Sequence, residues 1–171
     1  YIPASALGNF TDTLPHWEAQ ANNTFACPVG ARANISASHD LPVWRYRWFG
    51  NFPNTRLMTD PDSGAYHCSE VPFIFDTLPT GPGIPPDTEA EISIRAYVQG
   101  AWAAFAKDPI YGLSNYEDGW PQYSPFVPSI IRLAYNNVTG TNVGRSNLYD
   151  STCATTYPIS ATVEPSYMVE L

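Results

Sequence analysis

The sequence is poor in charge, and above all in basic charge. Charged side chains make up 14% of its 171 residues, and 8 Lys and Arg stand against 16 Asp and Glu, which gives a formal net charge of −8. Contacts to phosphate groups depend on clustered Lys and Arg, and no run of basic residues occurs in the chain. We therefore expect no nucleic-acid partner and no binding to an anionic membrane surface.

Long apolar runs and metal-binding motifs are also missing. No stretch approaches the roughly 20 apolar residues that a membrane-spanning helix needs. The sequence contains no Cys-x-x-Cys, no His-Glu-x-x-His and no phosphate-binding loop. We expect neither a membrane span nor a metal or cofactor. Residues 1–3 lack the basic and apolar segments of a signal peptide, which predicts a mature end or an internal cut.

Cysteine is scarce, whereas glycosylation sequons are frequent. Three cysteines leave one unpaired if a disulfide forms, and they are Cys27, Cys68 and Cys153. Asn-x-Ser/Thr sequons begin at Asn9, Asn22, Asn34 and Asn137. So many sequons in so short a chain indicate a secreted glycoprotein.

The first strand signal follows forty residues that have no sustained periodicity, in which residues 16–26 and 34–36 could form short helices. Residues 43–49 alternate aromatic side chains with Arg45 and Arg47, and this period of two is typical of a strand. Residues 50–66 are rich in Asn, Pro, Asp and Gly, which predicts a loop. This loop leads the chain to His67.

The clearest helix signal begins at Thr88. Thr88 and Glu91 form a capping box, in which each side chain bonds an amide at the helix start. The apolar stripe of the helix consists of Ile94, Val98, Ala101, Trp102 and Phe105. Residues 108–109, Asp-Pro, end the helix, and residues 130–135 indicate a second strand. Because two strands and one long helix make an incomplete core, we expect the chain to be part of a larger folded unit.

The segment from Gly64 to Phe75 resembles the histidine motif of the cholinesterase/type-B carboxylesterase family. It has Gly-x-x-His, a small residue, one further residue and Glu, followed by an apolar run that ends in Phe. The likeness continues, in the family's own order, in residues 42–46, 101–107 and 120–123. It covers about residues 25–155 and is closest to secreted fungal members. The resemblance implies an α/β-hydrolase fold in which residues 1–171 form the C-terminal segment of one domain.

The resemblance implies that His67 is the general base of a Ser-His-acid triad. Its imidazole would take the serine proton during attack on an ester carbonyl and return a proton to the leaving alcohol. Ser69 and Glu70 would be supporting residues, and we expect Glu70 to be a buried carboxylate bonded to backbone or to arginine. The candidate arginines are Arg45, Arg47 and Arg56. We interpret His16 and His39 as structural or merely exposed.

The serine and the acid of this triad have no counterpart in the chain. Gly-x-Ser-x-Gly does not occur, and no acid in a Glu-Gly context precedes His67. Members of the family order the triad as serine, acid and histidine, so the resemblance implies an N-terminal polypeptide of the same hydrolase that supplies both groups and most of the sheet. With that partner we expect a secreted carboxylesterase or lipase acting on a small-molecule ester.

Two other functions fit the same resemblance. A non-catalytic cholinesterase-like binding module would have lost its triad, although the retained His67 speaks against this. A member recruited to biosynthesis would carry out acyl transfer or cyclisation, because a fold does not fix its function.

The cysteines take different roles under the resemblance. Cholinesterases join a cysteine before the histidine to one near the end of the domain, which implies a disulfide between Cys27 and Cys153. Cys68 lies where the family has a small residue. A nucleophilic Cys68 is disfavoured, because neighbours in an extended loop point in different directions. We expect a buried thiol there, or a partner that the sequence does not reveal.

Overall fold

The structure, a computed structural model, describes residues 20–59 and 62–153. A π-helical turn at Asn22–Ala26 leads directly into the first α-helix. The remaining elements, in chain order, are α1 (Cys27–Ser38), β1 (Arg45–Trp48), α2 (Val71–Ile74), α3 (Glu89–Lys107), β2 (Ile130–Leu133), a 3₁₀ turn (Tyr135–Asn137) and α4 (Asn147–Asp150). Within the described ranges, no helix is both long and apolar enough to cross a bilayer.

The two strands pair in parallel. Arg45 lies opposite Ile130, and Trp48 lies opposite Leu133. Parallel neighbours need a long crossover connection, and α3 lies in this one, so the elements form a β–α–β arrangement typical of α/β proteins. The first predicted strand is confirmed in its central part. Within the part of the chain that the structure describes, β1 has β2 as its one neighbouring strand, so its other edge is open.

The second strand is shorter than the predicted range 130–135. β2 ends at Leu133 because Ala134 adopts a left-handed conformation with φ 56°. Asn136 and Asn137 are also left-handed, with φ values of 54° and 56°. Asparagine tolerates this region better than most residues, so the chain turns away from the sheet here.

Helix α3 packs on the sheet through the first part of its predicted stripe. The capping box is confirmed, since the Thr88 hydroxyl accepts from the Glu91 amide at 3.2 Å and the Glu91 carboxylate accepts from the Thr88 amide at 2.7 Å. Along the helix, the fully buried members of the stripe are Ile94, Val98 and Ala101. Phe105 is 45% exposed, so the stripe leaves the core towards the helix end. Large side chains of β1, the loop after it and α2 complete the core, among them Trp48, Phe52 and Phe73.

Candidate active site

His67 lies in a tight turn between the loop at residues 50–66 and α2. The amide of Ser69 donates to the carbonyl of Tyr66 at 3.0 Å and closes a turn whose central residues are His67 and Cys68. Cys68 has a φ of 66°, the sign that a type II turn requires at its third position and that glycine adopts most easily. Both central side chains are exposed. The prediction of a buried thiol at Cys68 is therefore wrong, because the turn projects this side chain outward.

The loop before His67 is anchored near both of its ends. Near its start, Phe52 is buried in the core. Near its end, the Tyr66 hydroxyl donates to the carbonyl of Thr55 at 2.8 Å. The described parts of the loop are therefore tied to the core at Phe52 and to each other through Tyr66 and Thr55.

The imidazole of His67 has an apolar neighbour on one ring face and a thiol at its edge. The ring of Phe25, from the π-helical turn, stacks on it with a centroid distance of 4.9 Å and an interplanar angle of 23°. The Cys68 Sγ lies 3.3 Å from His67 Nε2. Within residues 20–59 and 62–153 no carboxylate contacts the imidazole. The same residues contain no group of three His, Cys, Asp or Glu placed to hold a metal ion.

Glu70 reaches β1 through a tyrosine. The hydroxyl of Tyr46 donates to Glu70 Oε1 at 3.4 Å, and the carboxylate is half-buried. Burial, together with the nearby charge of Glu70, raises the pKa of Tyr46 to about 12. The phenol therefore keeps its proton at neutral pH and remains a donor to the carboxylate. Sequence reasoning missed this contact, although Tyr46 stands on the strand face opposite the two arginines.

The prediction of an arginine partner for Glu70 is wrong. Strand alternation points Arg45 and Arg47 to the opposite face of β1 from Tyr46. The three candidates contact other groups: Arg45 the carboxylate of Asp150, Arg47 the rings of Phe49 and Tyr149, and Arg56 the carboxylate of Asp62.

Ser69, the other predicted supporting residue, is buried. Its Oγ has no hydrogen-bond partner among the described residues. A buried hydroxyl normally finds a partner. Its supporting role stays a prediction.

A groove of about 580 Å³ opens beside the turn. Its walls include Phe25 and Val29 from the first helical segment, Tyr46 from β1, and both His67 and Glu70. The groove runs along β1, since residues 43–48 all line it, and its walls are mainly apolar with a few polar groups. The structure thus brings His67 and Glu70 into one concave, mainly apolar surface.

A disulfide and an ion pair lie on the other face of β1. Cys27 and Cys153 form the disulfide that the resemblance implies, across 126 residues of sequence. Arg45 Nη2 donates to Asp150 Oδ1 at 2.7 Å, and Arg45 is 6% exposed. A side chain at Gly30 would lie 3.3 Å from the Asp150 carboxylate, so the small residue lets α1 pass close to the ion pair.

The sequons differ in their surroundings, and their glycosylation stays a prediction. Asn9, like His16, lies outside the described residues. Asn22 is half-buried in the π-helical turn. Asn34 is also half-buried, and its Oδ1 accepts from the Tyr123 hydroxyl at 2.9 Å. Asn137 is exposed, but its side-chain amide bonds the backbone of the loop before His67.

Comparison with known proteins gives one family match and two partial relatives. Residues 17–153 match the sequence profile of the Carboxylesterase family. The chain is 34% identical over 87 residues to the chlorogenic acid esterase of Aspergillus niger, covering 51% of this chain and 16% of that enzyme. It is 30% identical over 113 residues to secreted lipase 5 of Gibberella zeae, covering 65% of this chain and 20% of the relative. The chain therefore spans a fifth or less of the length of these relatives. No solved structure matches it significantly.

Proposed function

This chain belongs to the carboxylesterase family, which has the α/β-hydrolase fold, and we propose that it is the histidine-bearing C-terminal segment of a secreted serine carboxylic-ester hydrolase. The proposal rests on one observation above the others. An exposed histidine, His67, lies in the wall of a concave, mainly apolar groove, within the residues that match the family. The two relatives described above are named as an esterase and a lipase, which agrees with ester hydrolysis.

In this reaction His67 acts as the general base. Its Nε2 accepts the proton of the attacking serine and then delivers it to the oxygen of the leaving alcohol. A carboxylate must hold the other ring nitrogen so that Nε2 is free to accept. The serine, this carboxylate and the oxyanion hole come from an N-terminal polypeptide of the same hydrolase.

Phe25 and Glu70 suit this role, whereas the Cys68 thiol, 3.3 Å from Nε2, has to turn aside before Nε2 meets the serine. Phe25 covers one face of the imidazole and excludes water from it. Glu70 follows the turn and is tied to β1 by Tyr46, so the turn is joined to the sheet. These contacts limit the movement of a base that must meet the serine oxygen within hydrogen-bond distance.

The partner polypeptide accounts for the shortage of structure in this chain. A parallel sheet of two short strands is not stable by itself, because both of its faces need cover. The open edge of β1 offers a place for a further strand of the same domain. Secretion agrees with the disulfide, since such bonds persist in oxidising compartments.

The first test is substitution of His67 in the complete enzyme. We expect His67→Gln to lower kcat/KM for a p-nitrophenyl ester by about 10⁴-fold or more, because no other group takes the serine proton. His39→Gln is the matched control, since His39 is an exposed histidine at the end of α1. It should leave kcat/KM within about twofold. A His67→Gln enzyme with near-normal turnover would disprove the role of His67.

A second experiment separates the function from its alternatives. A serine-directed fluorophosphonate probe should label the complete enzyme, and native mass spectrometry should find this chain together with a polypeptide of about 30–45 kDa. Absence of label from the intact complex would favour a binding module. Transfer of the acyl group to an added alcohol, with little hydrolysis, would favour acyl transfer or cyclisation.

A further inference from the structure

Asn51 stands at the start of the loop that leads to His67, and its side chain holds that loop together. Its Nδ2 donates to Asp62 Oδ2 at 2.9 Å, and its Oδ1 accepts from Arg56 Nε at 2.9 Å. Asp62 Oδ1 in turn accepts from the amide of Gly64 at 3.0 Å. The hydrogen bonds that start at Asn51 therefore extend through Asp62 to Gly64, three residues before His67.

The backbone of Asn51 is held by a residue 86 positions further along the chain. Asn137 Oδ1 accepts from the Asn51 amide at 3.3 Å, and Asn137 Nδ2 donates to the Asn51 carbonyl at 3.2 Å. All four hydrogen-bonding groups of Asn51 are therefore engaged, two by the loop and two by Asn137.

The side-chain amide of Asn137 continues the pairing of the strands beyond their ends. The last backbone bond between the two segments joins the Phe49 amide to the Leu133 carbonyl at 2.9 Å. Past Leu133 the chain leaves the sheet in left-handed residues, which include Asn137. The amide of Asn137 takes the place of the strand backbone that has turned away.

We propose that Asn137 is a positioning residue for the catalytic histidine, acting through Asn51 on the loop that carries His67. This inference rests on the proposed function of His67. It assigns a mechanical role to a residue that, as part of the sequon Asn137-Val138-Thr139, is otherwise a candidate for glycosylation.

A glycan on Asn137 conflicts with this pairing. To bond both the amide and the carbonyl of Asn51, Asn137 needs an Nδ2 hydrogen on the same side as its Oδ1. Attachment of a sugar replaces one of the two hydrogens, and the trans geometry of a secondary amide places the remaining one away from Oδ1. The active enzyme is therefore expected to carry an unmodified Asn137.

Two substitutions separate the amide from the sequon. Asn137→Ala removes both, whereas Thr139→Ala removes the sequon and leaves the amide in place. In the complete enzyme we expect Asn137→Ala to lower kcat by about 10-fold with KM within about twofold, because a displaced base slows chemistry more than binding. Thr139→Ala should match the unaltered enzyme. Amide hydrogen exchange at residues 55–66 should quicken in Asn137→Ala alone.

Asn51→Ala tests whether Asn137 acts on the loop through the side chain of Asn51. It keeps the backbone pairing with Asn137 but removes the bonds to Arg56 and Asp62, so it should lower kcat in the same direction. In that background the further loss caused by Asn137→Ala should shrink to about twofold or less, because the path from Asn137 to the loop is already broken. Independent, multiplicative losses would overturn the inference.

Three other results would also overturn it. These are a normal kcat in Asn137→Ala, a loss of kcat in Thr139→Ala, or a glycan on Asn137 in active enzyme digested and analysed by mass spectrometry. Failure of the proposed function is recognised separately, since His67→Gln would then remain active. An inactive His67→Gln together with a fully active Asn137→Ala rejects the positioning role alone.

Discussion

The two ends of β1 are held in different ways. At its start, Arg45 is buried against Asp150 beside the disulfide between Cys27 and Cys153. At its end, the loop towards His67 is held by hydrogen bonds of Asn51 to partly exposed groups. The first region, the frame (Arg45, Asp150 and the disulfide), is buried, whereas the contacts of Asn51 in the second, the histidine loop (residues 50–68), are polar and partly open to solvent.

This difference matches the demands on each region. A long-range crosslink resists unfolding because it limits the freedom of the unfolded chain. A buried ion pair specifies the local arrangement, because removing either partner leaves an unpaired buried charge. Networks of surface hydrogen bonds add little to global stability but determine local geometry. The frame therefore preserves the fold, whereas the histidine loop determines where the imidazole lies.

The largest effect should come from breaking the frame. Replacing Cys27 and Cys153 by Ser opens a loop of 126 residues, and we expect the free energy of unfolding of the complete enzyme to fall by about 4 kcal/mol. Cys68→Ser is the control, since it removes a free thiol and should change stability by about 0.5 kcal/mol or less. Denaturant titration measures both. Equal stability of the two variants would mean that the crosslink contributes nothing to the native enzyme.

Relief of backbone strain in the histidine loop should raise the free energy of unfolding, by less than loss of the disulfide lowers it. Cys68 has a φ of 66°, which costs a residue with a Cβ about 1 kcal/mol relative to glycine. Cys68→Gly should therefore be more stable than Cys68→Ala by about 0.5–1 kcal/mol, and both lack the thiol. Ala65→Gly is the control, because glycine at this exposed position gains no such relief and should destabilise. If Cys68→Gly were less stable than Cys68→Ala, the turn would not be strained.

The frame and the histidine loop were not equally predictable from the sequence. The capping box at Thr88 and the alternation along β1 could be predicted, since they depend on residues within a few positions of each other. Of helix α1 the sequence indicated only residues 34–36, because the helix buries Cys27, Gly30 and Ala33, small residues that leave no apolar stripe.

The contacts of His67 and Glu70 were the least predictable from the sequence. Phe25 meets His67, and Tyr46 meets Glu70, across 42 and 24 residues of chain. A motif identifies the histidine, but it carries no information on which distant side chain covers it. The proposed role of Asn137 could not be predicted either, because its sequon suggested a modification rather than a contact.

The smallest expected effect is a pH dependence confined to the histidine loop. The hydrogen bond from the Gly64 amide, with those from Asn51 and the charge of Arg56, lowers the pKa of Asp62 below its ordinary value. A carboxyl group whose pKa is lower in the folded protein stabilises it above the unfolded pKa, about 3.9, and this contribution is lost as pH falls through the lowered value. The loop should therefore loosen in acid.

Hydrogen exchange at residues 57–66, corrected for the intrinsic pH dependence of exchange, measures this loosening between pH 6 and 3. In Asp62→Asn the loop should already exchange faster at pH 6, and its protection should change little on acidification. Asp118→Asn, at an exposed carboxylate of a different loop, should behave like the unaltered enzyme. If Asp62→Asn kept the full pH dependence, other carboxylates would be responsible. The histidine loop would then depend on acid-sensitive contacts beyond its own network, and its contrast with the frame would be weaker.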